Sequence, residues 1–378
     1  MHVSSRGRLA SIDALRGLVM ALMLVDHVRE FFYLHLQVAD PMQLGSTPPD
    51  LFFTRLASHV CAPVFVLLTG LGAWLHGQRP GCSRAGLSRY LALRGSLLVV
   101  LELSLVSFAW SFRILPEMFY LQVIWAIGLS MLALALLIWL PAGLRLGMAV
   151  CIIAGHNLLD GLRLTSADPG FIPWAVLHMR QVFSLGDFQF RTSYPLLPWI
   201  GVILLGYSLG PWFQAQVPPA QRQRWLVIFG VGALLAFGVL RGLNLYGDQP
   251  RDEALEGLAA LMSFLNLTKY PPSLLFLLLT LGLAGVALAG LEQRRPWAPL
   301  VDLGRVPLFF YVFHLYVLHL VYLAGAALVG ANQGSRFGLG AVWQLWALAA
   351  CVLLMLHPIC RRVAALKATS RSPWLSYF

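Results

Sequence analysis

Two ionisable side chains on the first apolar segment of the chain are its clearest sign of chemistry. Arg16 and His27 are eleven residues apart. Eleven residues are about three turns of helix, so both side chains lie on one face, roughly 16 Å apart along the axis. Ionisable groups inside a bilayer usually mark a function. The spacing predicts that Arg16 holds an anionic ligand near one membrane surface while His27 acts as a general base towards the other.

The charges beside these two residues leave two interpretations open. Asp26 can pair with Arg29 three residues later on the same helix. In the functional interpretation, Asp26 orients the imidazole of His27 or stabilises its protonated, positively charged form. In the structural interpretation, Asp26, Arg29 and Glu30 form a polar cluster that the membrane interface wets. Glu102, near the middle of the third apolar segment, has the same two interpretations. It could support a base electrostatically, or it could be a neutral acid whose hydrogen bond helps two helices pack.

Other polar residues stand at the predicted outer ends of apolar segments. His59 begins the second segment, His156 ends the fifth, and Lys269 precedes the eighth. Each could bind an acceptor substrate, although an interfacial helix cap is the simpler explanation for the two histidines, and Lys269 could simply snorkel. His314 falls near the middle of the ninth segment. His319 is five residues further on, so the two histidines point to different faces, which argues against a shared metal site.

The composition predicts an all-α, polytopic integral membrane protein that forms one domain over 1–378. The chain is 58% hydrophobic and only 11% charged, whereas ordinary globular domains carry about 25% charged residues. About ten segments are long enough to span a bilayer. They are 12–33, 57–76, 90–112, 118–140, 143–160, 195–213, 225–243, 272–291, 306–328 and 339–360. The stretch 161–194 is too polar to span, although part of it could lie at the interface.

The distribution of cations predicts that both termini are cytoplasmic. With the N-terminus inside, arginines concentrate in the inner segments, and the longest outer loop, 242–270, is acidic. The inner residues are Arg6, Arg8, Arg79, Arg84, Arg89, Arg145, Arg222, Arg224, Arg294, Arg295, Arg305, Arg361, Arg362, Lys367 and Arg371. This direction places Arg16 near the cytoplasmic face and His27 towards the outer face.

Several other classes of function find no support in the sequence. The net charge of +11 comes mainly from loop arginines, so it does not indicate a nucleic-acid partner. The five cysteines show no paired spacing, and neither a disulfide framework nor a metal site is expected. No nucleophile-elbow, zinc-protease, phosphate-loop or dinucleotide-binding motif stands in a suitable context. The first apolar run carries charges and no cleavage site, which is typical of a retained helix.

Short motifs along the chain resemble a family of membrane acyltransferases. Arg16, ten mostly apolar residues and His27 resemble the Arg-x10-His motif of bacterial enzymes that acetylate O-antigen and other surface glycans. Gly304-Arg305 followed by Tyr311-x-x-His314 is similar to a late helix of that superfamily. End to end, the chain resembles bacterial members of the heparan-alpha-glucosaminide N-acetyltransferase-like family. The supporting pieces are Asp26-His27-Val28-Arg29, Cys61-Ala62-Pro63, Pro198-Trp199-Ile200-Gly201, Thr268-Lys269-Tyr270-Pro271-Pro272-Ser273 and Trp374-Leu375-Ser376-Tyr377-Phe378.

The resemblance implies a multi-pass enzyme of the bacterial plasma membrane that modifies glycans. Cytoplasmic acyl-CoA, with acetyl-CoA favoured, would be the co-substrate, and Arg16, Arg305 and His314 would line its site. The acceptor would be an extracytoplasmic sugar or lipid-linked saccharide. In the animal heparan enzyme an asparagine stands at the position of His27, and the important histidine follows later. The nearest counterpart here is His35, so either histidine could be the base, and the ungapped bacterial motif favours His27.

The favoured hypothesis is therefore an acyl-CoA-dependent acyltransferase. His27 would be the base, with support from Asp26 or Glu102. His35, His59, His156 and Lys269 would contact the acceptor, and membrane lipids would surround the protein. The oligomeric state is open, with a homodimer as one alternative. A proton-coupled transporter or flippase of a small solute or lipid-linked sugar is the rival hypothesis, since intramembrane ionisable groups can form a proton relay; no internal repeat supports it.

Overall fold

The computed structural model describes residues 9–293 and 296–370. Within these ranges the chain is mostly helical. Five predicted inner arginines and the C-terminal motif lie outside the described residues; these are Arg6, Arg8, Arg294, Arg295, Arg371 and 374–378.

The helices are α1 (Ala10–Phe32), α2 (Pro49–Ala57), α3 (Cys61–Gly77), α4 (Arg84–Leu101), α5 (Ser107–Ser111), α6 (Val123–Leu137), α7 (Ala142–Gly155), α8 (Phe171–Leu177), α9 (Leu197–Ser208), α10 (Pro219–Leu243), α11 (Gly257–Leu265), α12 (Leu274–Gln293), α13 (Ala298–Gly304), α14 (Pro307–Val329) and α15 (Val342–Thr369). The strands are β1 (Met118–Leu121), β2 (Val182–Leu185) and β3 (Phe188–Thr192).

Seven helical segments of the described chain are long and apolar enough to cross a membrane, and each overlaps a predicted span. They are Pro49–Gly77, Arg84–Ser111, Ala142–Leu159, Pro219–Leu243, Leu274–Gln293, Pro307–Val329 and Val342–Thr369. Two shorter apolar helices, Val123–Leu137 and Leu197–Phe213, occupy the predicted fourth and sixth segments. Helix α1 occupies the first, but its ionisable residues reduce its hydropathy. The protein is thus a multi-pass membrane protein, while ten spans and cytoplasmic termini stay predictions.

A small sheet departs from the all-α prediction. Strand β3 pairs with β2 in antiparallel and with β1 in parallel register. The predicted fourth span therefore begins too early, because 118–121 is strand and the helix starts at Val123. Gly186 adopts a φ of 59° between β2 and β3, a backbone conformation that favours glycine and suits a two-residue hairpin turn. The hairpin accounts for part of the polar stretch that does not span.

Helix α1 lies at the centre of the bundle, and glycines allow α13 to approach it closely. A Cβ at Gly17 would lie 1.9 Å from the carbonyl oxygen of Leu300, and one at Gly304 would lie 1.8 Å from that of Asp13. No real side chain tolerates such distances. The approach places the carbonyl of Gly304 within reach of Arg16, which donates to it at 2.8 Å.

The tight contact between α1 and α13 predicts a stability effect. We expect Gly17→Ala to destabilise the protein by about 1–3 kcal/mol, because overpacking forces the two backbones apart. Gly147→Ala on α7 is the matched control, since a Cβ there meets nothing within 4 Å. Thermal unfolding in detergent measures both variants. Equal melting temperatures for Gly17→Ala and the wild type would show that the contact is not tight.

Candidate active site

Arg16 and His27 both lie on α1, in different surroundings. Arg16 donates to the carboxylate of Asp13 at 2.9 Å and to the carbonyl of Gly304 at 2.8 Å. Arg305 follows Gly304 and lies 4.0 Å from the other oxygen of Asp13. The guanidinium of Arg16 is thus fixed by the α13 contact, which orients a cation at this end of the bundle.

His27 pairs with a second histidine from α14. Its Nδ1 lies 2.6 Å from Nε2 of His314, and the two ring planes are only 4° apart. The rings of Trp110 and Tyr311 meet the His27 ring edge-on, with centroids 5.3 and 5.9 Å away. His314 is fully buried, whereas His27 is only partly so. The arrangement holds the imidazole of His27 in one orientation.

A cavity of about 300 Å³ extends from Arg16 to Tyr311, whose ring contacts His27. His27 itself is not among the residues that line it. The basic lining residues of the cavity come from the first half of α1, the end of α3 and the loop after it, the middle of α4, the residue after α13 and the end of α15. They are Arg16, His76, Arg79, Arg94, Arg305 and Lys367. The other lining residues are mostly apolar and include Met23 on α1, Leu98 on α4, Ile124 on α6 and Tyr311 on α14. A slot with a cationic mouth and an apolar depth suits a ligand with an anionic head and a long uncharged arm.

Tyr311 joins the deep end of this cavity to the histidine pair. Its side chain lines the cavity and its ring contacts His27. Its hydroxyl is buried, and within residues 9–293 and 296–370 it has no hydrogen-bond partner. A buried hydroxyl without a partner is costly unless a ligand supplies one. Tyr311 is thus placed to donate a hydrogen bond to a molecule in the cavity.

Glu102 makes no hydrogen bond to His27 among the described contacts. It begins a π-helical turn after α4, is buried, and accepts a hydrogen bond from the backbone N–H of Trp125 at 3.0 Å. This position agrees with the structural interpretation of Glu102, in which its carboxyl group joins two helices by a hydrogen bond. Any electrostatic support that Glu102 gives to His27 is therefore indirect.

Asp26 is bound by two arginines and makes no hydrogen bond to His27. Arg29 donates to it at 3.1 Å, which confirms the predicted pair, and Arg55 donates at 2.5 Å. Arg55 also lies 3.3 Å from Asp40 in the loop after α1. Burial raises the pKa of Asp40, while the charges of Arg55 and Lys269 oppose that rise. Asp26 can therefore act on His27 only through space.

Lys269 and His59 belong to this same polar region. The backbone N–H of Lys269 donates to Asp40 at 3.0 Å, and its buried side chain lies over the ring of Tyr270 at 5.3 Å. His59 is buried, and neither ring nitrogen has a partner in the part of the chain that the structure describes. Lys269 is thus connected to Asp40, which Arg55 also contacts, while the ring of His59 packs against Phe276 with centroids 5.3 Å apart.

The two remaining predicted contacts of the acceptor lie in less suitable places. His35 is exposed in the loop after α1, where its ring packs on Tyr33 with centroids 4.4 Å apart. His156 is buried, and Nε2 lies 2.8 Å from the carbonyl of Pro272 while Nδ1 faces carbonyls of its own helix. Because its ring nitrogens are occupied by backbone groups, His156 has the geometry of a structural residue.

The chain matches the family described as heparan-alpha-glucosaminide N-acetyltransferase, catalytic, over residues 8–241. The match covers more than half of the sequence. The chain belongs to this family. The membership indicates an acetyltransferase-type enzyme and confirms the resemblance carried by the short motifs. Among individually curated proteins, none matches the chain.

The acetyltransferase match ends before several residues of the cavity and the histidine pair. It includes His27 and Glu102 but stops short of Lys269, Tyr311 and His314. Nevertheless, the fold brings α14 back against α1, so that His314 contacts His27. The site of this family member is therefore completed by the last third of the chain.

Sequence reasoning missed three elements of the site. It placed His314 in the cofactor site, whereas His314 contacts His27 and is not among the cavity-lining residues. It did not assign a role to Tyr311, although the Tyr-x-x-His spacing puts that residue one turn before His314 on the same face. It also overlooked Arg55, because an arginine near the start of an apolar helix is a common interfacial residue and gave no signal of its own.

Proposed function

We propose that the protein transfers an acyl group, with acetyl favoured, from acyl-CoA that enters from the cytoplasm to an acceptor on the opposite side of the membrane. The acceptor would be a sugar or glycan, as the family description suggests. The single observation that carries the proposal is the cavity. It extends from the basic lining residues to Tyr311, whose ring contacts that of His27. It supports a site in which a thioester reaches a base deep in the bundle.

The charges of the cavity mouth suit the phosphates of CoA. Arginine recognises phosphate through charge-assisted hydrogen bonds, and the mouth includes Arg16, Arg79, Arg94 and Arg305. The narrow apolar part suits the pantetheine arm. At about 300 Å³, the cavity is at the lower end of the usual range for ligand pockets, so the adenine would remain near the surface.

The groups at the deep end would perform the transfer. His27 takes the proton from an acceptor hydroxyl or amine, whose oxygen or nitrogen attacks the thioester carbon. Tyr311 donates a hydrogen bond to the carbonyl oxygen as negative charge develops there. The C–S bond then breaks, and the CoA thiolate takes the proton back from His27. Lys269 and His59 are the residues we propose for contacts with the acceptor, because both are buried polar groups and neither lines the cavity.

Binding of CoA is the first test of this function. Ligands that bind the folded state raise the melting temperature. We expect acetyl-CoA and CoA to stabilise the purified protein, and pantetheine without phosphates to stabilise it far less. Absence of any shift at millimolar CoA would reject the proposal and would favour the transporter hypothesis.

The mouth of the cavity predicts a matched pair of arginine variants. We expect Arg79→Ala to weaken CoA binding about tenfold, because it removes one charge-assisted contact to phosphate. Arg89→Ala on α4 is the control, since Arg89 is exposed nearby but does not line the cavity. Titration of CoA at low and high salt measures both, and the difference should shrink as salt screens the charges. Equal losses in the two variants would indicate nonspecific attraction.

A further inference from the structure

The hydrogen bonds of His314 determine which of its ring nitrogens carries the proton. Its Nδ1 lies 2.7 Å from the carbonyl oxygen of Phe310, one turn earlier on α14. A carbonyl oxygen only accepts, so Nδ1 must carry the hydrogen. A neutral imidazole has a single N–H, and therefore Nε2 of His314 presents a lone pair. The only close partner of that lone pair in the described chain is Nδ1 of His27, at 2.6 Å.

The same chain of hydrogen bonds determines the tautomer of His27. Its Nδ1 must donate to the lone pair of His314, which leaves Nε2 of His27 without a hydrogen. No residue in the described ranges makes a hydrogen bond to that Nε2, and His27 is only partly buried. An imidazole whose Nδ1–H donates a hydrogen bond and whose Nε2 is unprotonated has the form that a general base needs.

We propose that His314 is a positioning residue that fixes the tautomer of His27 through the carbonyl of Phe310. The inference rests on the proposed function, because it concerns the base of that reaction. When the acceptor donates its proton to Nε2, His27 becomes a cation, and the hydrogen bond from Nδ1 to His314 shares the charge. When the C–S bond of the thioester breaks, the thiolate takes the proton from Nε2, and the original tautomer returns.

Several other charged and titratable groups surround the pair of His27 and His314. Asp26, Arg29 and Glu30 are on α1, Tyr311 is on α14, Glu102 begins the π-helical turn after α4, and Lys269 is in the loop before α12. None of them makes a hydrogen bond to either ring among the described contacts. The link through His314 is thus the direct control on His27, and the surrounding charges modulate it.

Two variants of His314 separate a tautomer effect from a packing effect. His314→Leu removes the acceptor of the His27 Nδ1–H, so Nε2 can carry the hydrogen instead. We expect kcat to fall about tenfold and the acid limb of the pH profile of kcat/KM to move to lower pH, because the cationic form of His27 loses a partner. His314→Gln offers an amide oxygen near the position of Nε2. We expect His314→Gln to return the acid limb of the kcat/KM profile to its wild-type pH and to restore most of kcat. The KM for acyl-CoA should be unchanged in both variants.

The wild-type tautomer can be measured without any catalysis. Histidines labelled with ¹⁵N report whether Nδ1 or Nε2 carries the hydrogen, and His27→Gln and His314→Gln identify the two signals by difference. We expect the Nδ1–H form for both rings. An Nε2–H form for His27 would overturn the inference, as would a His314→Leu variant with wild-type kcat and an unmoved acid limb. If the proposed function fails, the protein shows neither CoA binding nor transfer while the NMR result still stands.

Discussion

Replacing His27 by alanine is expected to lower kcat for acyl transfer about 10²–10⁴-fold, the usual contribution of a positioned general base. The side chain has a fixed orientation between Trp110, Tyr311 and His314, so no neighbour on the same helix can replace it. Binding of acyl-CoA should change little, because the basic mouth of the cavity remains. The measurement is the rate of transfer from labelled acetyl-CoA, with melting temperature and CoA titration as checks of folding and binding.

His35→Ala is the matched control for this experiment. The alignment with the animal enzyme leaves His35 as an alternative base, but it is exposed and packs on Tyr33 outside α1. We expect His35→Ala to retain transfer within about twofold, as surface substitutions usually do. The opposite pattern, with activity lost in His35→Ala and retained in a well-folded His27→Ala, would reverse the assignment of the base.

The second large effect is expected for Tyr311→Phe, which should lower kcat about 10²–10³-fold, as removal of one oxyanion donor does. The hydroxyl lies in the cavity wall beside His27 and is buried without a partner in the described residues. It therefore makes its hydrogen bond only when a ligand is present. Because the bond would strengthen as the thioester oxygen becomes negative, the loss should appear in kcat far more than in KM.

Tyr316→Phe provides the control for Tyr311→Phe. Tyr316 is on the same helix, and its hydroxyl donates to the backbone carbonyl of Leu105 at 2.9 Å, away from the cavity. Both changes remove one oxygen atom, so a shared effect on folding would lower the melting temperature of each. A Tyr311→Phe enzyme with unchanged kcat would show that another group binds the carbonyl oxygen.

Much of the helical architecture could be predicted from hydropathy. The ninth segment, predicted at 306–328, is observed as α14, Pro307–Val329, because prolines and glycines mark the ends of long apolar runs. The sheet could not be predicted in the same way. Strand β1 has four residues, and α6 begins after a single intervening residue, so by hydropathy the apolar residues of β1 are indistinguishable from the start of a span.

The site was only partly predictable for a different physical reason. Helical periodicity places Arg16 and His27 on α1, but it does not say which helix packs against that face. The contact of His27 with His314 joins residues that are 287 positions apart, and it depends on how the bundle closes. The same limit applies to Asp26, whose local partner Arg29 could be predicted from spacing, whereas Arg55 on α2 could not.

The most direct test of the central claim is a structure of the protein with a non-hydrolysable acetyl-CoA analogue. We expect the phosphates at the basic mouth near Arg79 and Arg94, and the pantetheine arm along the cavity. The acyl carbonyl oxygen should lie within about 3 Å of the Tyr311 hydroxyl, a hydrogen-bonding distance. An analogue bound elsewhere, with the cavity empty and the histidine pair untouched, would contradict the proposed route of the thioester.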